Sequence, residues 1–367
     1  MQDLADLQSI PADKPLEYDG ETNQAYDILL DLKAAPYAED QPISFLRTIA
    51  RVAGVFVTSE LADNLYAFLG MIDGSGFTPN YEISIKQNFT AFAVAMARVF
   101  GSLDFLSLWS ANLDALLPNT PEELKNFPSW VPSYSGIPLS APHRLASGGI
   151  RTSRVTVNWN AANGRRHIHS QPEDAVTTGR LQVRGKVIDH IHTISTAKTA
   201  RYWIMDESYL DSLVQQLRKD LPNSPFENWT LTSLVHFLNT LAANGNTPAE
   251  TPEVVLGWKP RDFPKELIDM NGYNASLAPC LAMARGRKFA TTEKGRIGMV
   301  PWIGSKGRSE EQKGSMIVVL HGCCVPIILD LVREEEYQVV GECYIEDVML
   351  GEVVNWEEEE ADTFILI

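Results

Sequence analysis

The sequence has few cysteines, and their spacing excludes the usual cysteine frameworks. There are 4 cysteines in 367 residues, at positions 280, 323, 324 and 343, and no two stand in CxxC spacing. A disulfide-stabilised secreted domain and a cysteine-ligated zinc site both need denser, paired cysteines. Neighbours such as Cys323 and Cys324 also point to opposite faces of a strand. We therefore predict reduced, mostly buried thiols in a cytoplasmic protein.

An excess of positive charge is also lacking. The formal net charge is −16 and the pI is about 4.9. Phosphate backbones repel such a chain, so we predict no nucleic-acid partner. The short basic clusters are interpreted as solvated strand ends, and they contain Arg151, Arg154, Arg165 and Arg166, then Arg285, Arg287 and Lys288.

The sequence has no long hydrophobic run and no secretory leader. The most apolar stretch, residues 316–332, is interrupted by His321, Gly322, Pro326 and Asp330. It is too short to span a bilayer as a helix, which needs roughly 20 apolar residues. The first residues are acidic and lack a basic segment followed by an apolar one. We therefore predict no membrane association.

Helical periodicity dominates the first part of the chain. Residues 84–87 (SIKQ) have the form of a capping box, in which Ser84 and Gln87 satisfy each other's backbone N–H groups. One apolar face follows, made of Ile85, Phe89, Phe92, Met96 and Val99. Residues 127–134 (FPSWVPSY) then combine two prolines with three aromatics. Because proline fixes φ, we interpret them as a rigid strap in which Trp130 is the anchor.

The periodicity changes to two further along the chain. Residues 154–194 alternate, with a hairpin-turn signal at Asn163-Gly164 and a break at Gly185, where we expect a bulge or bend. Residues 285–352 contain short β-rich runs separated by glycine and proline. A few strands alone leave exposed edges, so we predict that both segments join one sheet or barrel.

These patterns predict an α+β fold in two parts. Residues 1–145 form an α-helical region that ends in the Pro/Trp strap. Residues 146–367 form a small antiparallel β-sheet or barrel, with strands at about 150–195 and 285–352 and a helical insertion at about 200–275.

Histidine pairs provide one candidate metal site. His167 and His169, and likewise His190 and His192, stand two residues apart. In a strand, such a pair lies on one face, so two strands offer four nitrogens to Zn²⁺. The alternative is that Ile168 and Ile191 face the core while the histidines face water, and that alternation explains the pattern without metal. We predict no metal and no cofactor.

A second candidate site combines His321 with Cys323 and Cys324. A thiolate nucleophile needs a base within hydrogen-bond reach, and His321 and Cys323 are close enough in sequence to share a face. Gly322 and Pro326 indicate a turn here instead, in which small residues serve the backbone geometry. Enzymatic activity is therefore left open, with a Cys/His pair beside the barrel as the alternative.

Several segments, in the same order, resemble fungal heterokaryon-incompatibility (HET) proteins in the region that follows their HET domain. The segments are residues 63–70 (DNLYAFLG), residues 127–134, residues 181–191 with Gly185 and Asp189, and residues 337–352 (YQVVGECYIEDVMLGE). Further matching positions are Arg287, Phe289, Gly295, Gly298, Pro301, Gly314, Leu320, Gly322, Pro326 and Leu329.

Two positions depart from this resemblance. Ser315 stands where the family usually has Asp, and Asp330 stands where it usually has Arg. If the two positions form an ion pair in relatives, this chain has lost it. The phrase that ends the HET domain, similar to Arg-x-Trp-x-x-Gln-Glu, is absent, so we expect that the cell-death-inducing domain lies outside this chain.

The resemblance implies a non-catalytic regulatory or recognition module. Its expected role is fungal non-self recognition and control of programmed cell death, with HET-type proteins or a second copy of the chain as partners. A truncated form without effector activity is the other expectation.

Overall fold

The computed structural model describes residues 60–66, 69, 77–108, 127–132, 159–167, 172–196, 215–222, 224, 287–301, 314–356 and 360–367. The helical patterns before residue 60, most of the proposed insertion at 200–275, Cys280 and His169 lie outside these residues. The division into domains at residue 145 therefore stays a prediction.

The described elements form a mixed α+β fold with few helices and a large, mostly antiparallel sheet. The helices are α1 (Asp63–Tyr66), α2 (Ile85–Phe100), a 3₁₀ helix (Asp104–Leu108) and α3 (Pro172–Thr178), and residues 215–220 are also helical. The strands are β1 (Leu181–Ile194), β2 (Arg287–Thr292), β3 (Ile297–Pro301), β4 (Met316–Leu320), β5 (Ile327–Arg333), β6 (Glu336–Glu342), β7 (Tyr344–Ile345) and β8 (Asp362–Leu366).

Helix α2 forms as its sequence predicts. The Gln87 N–H donates to Ser84 Oγ at 3.2 Å, and the Ser84 N–H donates to Gln87 Oε1 at 3.1 Å, so the capping box is confirmed. The helix buries Phe89, Phe92 and Met96. It ends at Gly101, whose φ of 61° lies in the left-handed region that glycine adopts readily.

Strand β1 connects the two β-rich segments of the sequence. It pairs antiparallel with β8 at its start, with β4 in its middle and with β2 at its end. Strands β4, β5 and β6 follow as neighbours, and β6 pairs parallel with β8. Strands β1, β4, β5, β6 and β8 therefore close into a ring, and the prediction that both segments join one sheet is confirmed.

The sequence placed the irregularity of β1 incorrectly. The register shift against β4 lies between Val187 and Asp189, not at Gly185. A Cβ atom at Gly185 would lie 2.5 Å from the Val319 carbonyl oxygen. Glycine is therefore required where β1 passes closest to β4, because any side chain would push the two strands apart.

The prediction of a strand directly beside the Asn163-Gly164 turn is also wrong within residues 159–167. The turn itself is present, with φ of 49° at Asn163 and 72° at Gly164, as expected for a type I′ turn. The flanking backbone bonds to loops instead of a strand. For example, the Asn160 N–H donates to the Met349 carbonyl at 2.9 Å.

Both faces of the ring are buried. Along β4, Val318 and Leu320 pack in one hydrophobic cluster with α2 and Trp130, whereas Ile317 and Val319 pack in a second cluster. This is why residues 316–320 read as a continuous apolar run. At the start of β4, Ser315 Oγ donates to the Asp330 carboxylate. The two positions that depart from the family pattern are therefore in contact here.

No helix within the described ranges is long and apolar enough to cross a membrane.

Candidate anion-binding pocket

Three loops meet at one end of β1 and β4 through their backbones. The His167 N–H donates to the Gly101 carbonyl, the Leu103 N–H to the Gly322 carbonyl, and the Gly322 N–H to the Arg165 carbonyl, each at 2.8 Å. These bonds join the end of α2, the loop after β4 and the segment after the Asn163-Gly164 turn. The junction positions side chains that are far apart in the sequence.

A cavity of about 310 Å³ lies beside this junction. We call it the arginine pocket. Its lining residues are Arg165, Arg166, His167, Arg184, His321, Trp356, Glu360 and Ala361. The His321 N–H donates to the Arg184 carbonyl at 2.8 Å, so the end of β4 and the start of β1 face each other here.

Two of the three arginines are held by backbone carbonyls. Arg165 Nη2 donates to the Trp356 carbonyl at 3.4 Å, and Arg184 Nη2 donates to the Ala361 carbonyl at 3.1 Å. Within the described ranges, Arg165, Arg166 and Arg184 make no ion pair with a carboxylate. Because a guanidinium has five N–H donors, most of their donor capacity stays available to a ligand.

Trp356 and His321 form the aromatic wall of the pocket. Their ring centroids lie 4.4 Å apart in an edge-to-face arrangement, and Trp356 Nε1 donates to the Ala162 carbonyl at 2.9 Å. Burial lowers the pKa of His321, and the nearby charges of Arg184 and Arg165 lower it further. Since the ordinary value is about 6.5, His321 is mostly neutral at pH 7.5. Its Nε2 is buried without a hydrogen-bond partner in the described structure.

The two neighbouring cysteines belong to the junction and do not line the pocket. The Cys323 thiol lies 3.6 Å from the Leu103 carbonyl, and burial raises its pKa well above the ordinary value. The Cys324 N–H donates to Asp104 Oδ1 at 2.7 Å. Of the three residues in the Cys/His hypothesis, only His321 therefore reaches the cavity.

The histidines of the metal hypothesis lie in different places. His167 lines the arginine pocket, whereas His190 Nδ1 lies 3.8 Å from Glu293 Oε2 and His192 is exposed further along β1. Among the residues that the structure describes, no group of three His, Cys, Asp or Glu side chains could hold a metal ion. The structure instead brings together His167 and His321, which the sequence assigned to separate hypotheses.

Comparison with known families finds one match, at the C-terminal end of the chain. Residues 265–367 match the Het-6 beta-barrel domain. The resemblance to the C-terminal region of heterokaryon-incompatibility proteins is thereby confirmed, and the chain is related to that group. No curated protein and no solved structure gives a significant match.

The matched Het-6 barrel region is not closed by its own strands in this chain. It contains β2 to β8, but β4 and β8 are joined only through β1, which precedes the matched residues. The arginine pocket lies across this same boundary. Arg165 and Arg184 come from outside the match, whereas His321 and Trp356 come from inside it.

Sequence reasoning found some of the pocket residues but missed Arg184 and Trp356. Arg184 stands at an exposed position of β1 between buried Val183 and Gly185. The alternation of β1 was therefore a signal for a cation on its outer face. Trp356 directly precedes an acidic run and has no local pattern that marks it.

We expect Gly322→Ala to lower the free energy of unfolding by about 1–3 kcal/mol. Gly322 has a φ of +83°, and an added Cβ would lie 2.7 Å from the Gly101 carbonyl oxygen and 2.9 Å from His167 Cβ. The matched control is Gly314→Ala, because Gly314 has a φ of +89° but no atom within 4 Å of the added Cβ. Urea denaturation followed by fluorescence compares the two. Equal losses for both variants would show that only backbone strain matters at Gly322.

Proposed function

We propose that this chain is a non-catalytic recognition module of a heterokaryon-incompatibility-type protein. Its role is non-self recognition and control of cell death in a fungus, through a HET-type protein partner. The arginine pocket carries the proposal, because three guanidinium groups and a tryptophan converge on one cavity. Such a cavity is suited to holding a ligand by charge and shape.

The surroundings of the cysteines support binding over covalent catalysis. A catalytic thiol must ionise readily and must lie beside its base. Cys323 is fully buried with a raised pKa, and its thiol points to the Leu103 carbonyl. The alternative function, an enzyme that uses His321 with Cys323 or Cys324, therefore has the weaker geometric support.

Co-expression in a filamentous fungus tests the proposal. The full chain is expressed with and without a related HET-domain protein in trans, and the frequency of cell death is scored. We expect the chain to change this frequency, and we expect Arg165→Gln/Arg184→Gln to remove at least half of the change. The matched control is Arg98→Gln/Arg333→Gln, which removes the same charge from exposed positions outside the pocket. Immunoblots confirm equal protein levels.

The alternative function is tested in the same assay with Cys323→Ser and Cys324→Ser. A recognition module should tolerate both substitutions when the protein level is unchanged. Loss of the phenotype in a cysteine variant, with the arginine variant fully active, would favour the enzyme. If the chain never alters the death frequency, the proposed role is wrong.

A further inference from the structure

The arginine pocket has a local charge opposite to that of the chain. Three guanidinium groups face one carboxylate, that of Glu360, so the lining carries an excess of two positive charges when its histidines are neutral. The chain as a whole carries −16. A positive site in so acidic a protein does not follow from composition, and it matches the charge of a dianion.

The donors of the pocket suit a phosphate group. Guanidinium groups bind phosphate through paired N–H···O bonds, which are shorter and stronger than neutral hydrogen bonds. Arg165 and Arg184 are oriented by carbonyls at the two ends of one stretch of chain, those of Trp356 and Ala361. Both are thereby oriented without being neutralised by those contacts. A carboxylate, with a single charge, would leave part of this positive excess unmatched.

The cavity has room for more than the anion. Its volume of about 310 Å³ lies at the lower end of the range for small-molecule sites, roughly 300–1,000 Å³. Trp356 supplies an apolar wall that is fixed by its bond to the Ala162 carbonyl. An organic group attached to the phosphate can therefore pack on this ring.

We propose that the arginine pocket binds a small organic phosphate ester, with the phosphate between Arg165 and Arg184 and the organic group against Trp356. The inference deepens the proposed function, since it names the ligand class of the recognition module. Glu360 then acts against binding, because its carboxylate faces the same cavity as the bound phosphate.

Calorimetric titration of the full chain with phenyl phosphate at pH 7.5 tests the site. We expect binding to the wild-type protein, at least tenfold weaker binding to Arg184→Gln or Arg165→Gln, and two- to fivefold tighter binding to Glu360→Gln. Arg333→Gln is the matched control, because Arg333 is exposed and does not line the pocket. An equal loss in Arg333→Gln would show that only net charge matters and would overturn the proposal.

A second measurement separates direct binding from loss of the fold. The charged and titratable groups around His321 in the pocket are Arg165, Arg166, Arg184, His167 and Glu360. A bound dianion offsets the arginines that lower the pKa of His321, so this pKa should rise when phenyl phosphate is added. An NMR titration of the histidine ring signals measures the change. An unchanged His321 signal at saturating phenyl phosphate would place the ligand elsewhere.

Further probes distinguish the sources of the phosphate. Inorganic phosphate should bind more weakly than phenyl phosphate, and benzoate should bind at least tenfold more weakly. A phosphoserine peptide that binds more than tenfold tighter than phenyl phosphate would overturn the small-molecule assignment. The fungal assay fails independently of these titrations. Phosphate-ester binding without a death phenotype would keep the ligand assignment and reject the biological role.

Discussion

Arg287→Met should lower the free energy of unfolding by about 3–5 kcal/mol, because it leaves a buried carboxylate without its cation. Arg287 is fully buried on β2, and its guanidinium pairs with the Glu342 carboxylate, which is 3% exposed. Arg287 Nη1 also donates to the Glu342 carbonyl at 3.2 Å. Burial lowers the pKa of Arg287, and Glu342 opposes that shift by favouring the charged form.

Urea denaturation of three variants measures the coupling within this pair. Arg287→Met/Glu342→Met should be less destabilised than the sum of the two single variants by at least about 1–2 kcal/mol, since it removes both buried charges together. Arg333→Met is the matched control. Arg333 also pairs with a glutamate, but its side chain is 72% exposed, so we expect a loss below about 1 kcal/mol. Additive effects of the two buried substitutions would contradict the argument.

The position of the pair explains why its loss should affect the whole sheet. Arg287 begins β2, and Glu342 ends β6 just before β7. Strand β2 pairs with β1 at one side and with β3 at the other, and β3 pairs with β7. The ion pair therefore ties the β2–β3 hairpin to the strand that leaves the closed ring.

Local features of the fold could be predicted because neighbouring residues determine them. The Ser84-Gln87 capping box and the Asn163-Gly164 turn depend on backbone groups within four residues, and both are present. The apolar run of residues 316–320 likewise indicated a strand that is buried on both faces. At Gly185 the type of residue was a correct signal, but its cause is the Val319 carbonyl on another strand.

The arginine pocket could not be predicted from local pattern. Arg165, Arg184, His321 and Trp356 span almost two hundred positions of the sequence, and backbone bonds between loops bring them together. The carbonyl of Gly101 fixes His167, and the carbonyl of Arg165 fixes Gly322. Each cation alone is typical of a solvated strand end. Only the closure of the ring through β1 shows that they face one cavity.

Trp130→Ala should lower the free energy of unfolding by about 3–5 kcal/mol, the usual range for removing a fully buried tryptophan. Trp130 has no exposed surface and packs in the cluster that contains Phe89 and Phe92 of α2, as the strap interpretation predicted. Its Nε1 donates to the Gly179 carbonyl at 2.9 Å, which fixes the end of α3.

Trp130→Phe separates the two contributions of this side chain. Phenylalanine keeps most of the buried apolar area but leaves the Gly179 carbonyl without its donor, so a loss of about 1–3 kcal/mol is expected. Thermal and urea unfolding of both variants measure the difference.

The neighbouring residue decides how far the damage from Trp130→Ala spreads. The Ser129 N–H donates to the Ile367 carbonyl at 2.8 Å, and the Val339 N–H donates to Ser129 Oγ at 2.9 Å. A displaced Trp130 would therefore also loosen β6 and the C-terminal residue after β8. Amide exchange should then accelerate in β6 and β8 of Trp130→Ala but remain slow in β2 and β3. Faster exchange confined to residues 127–132 would show that the strap is not an anchor of the ring.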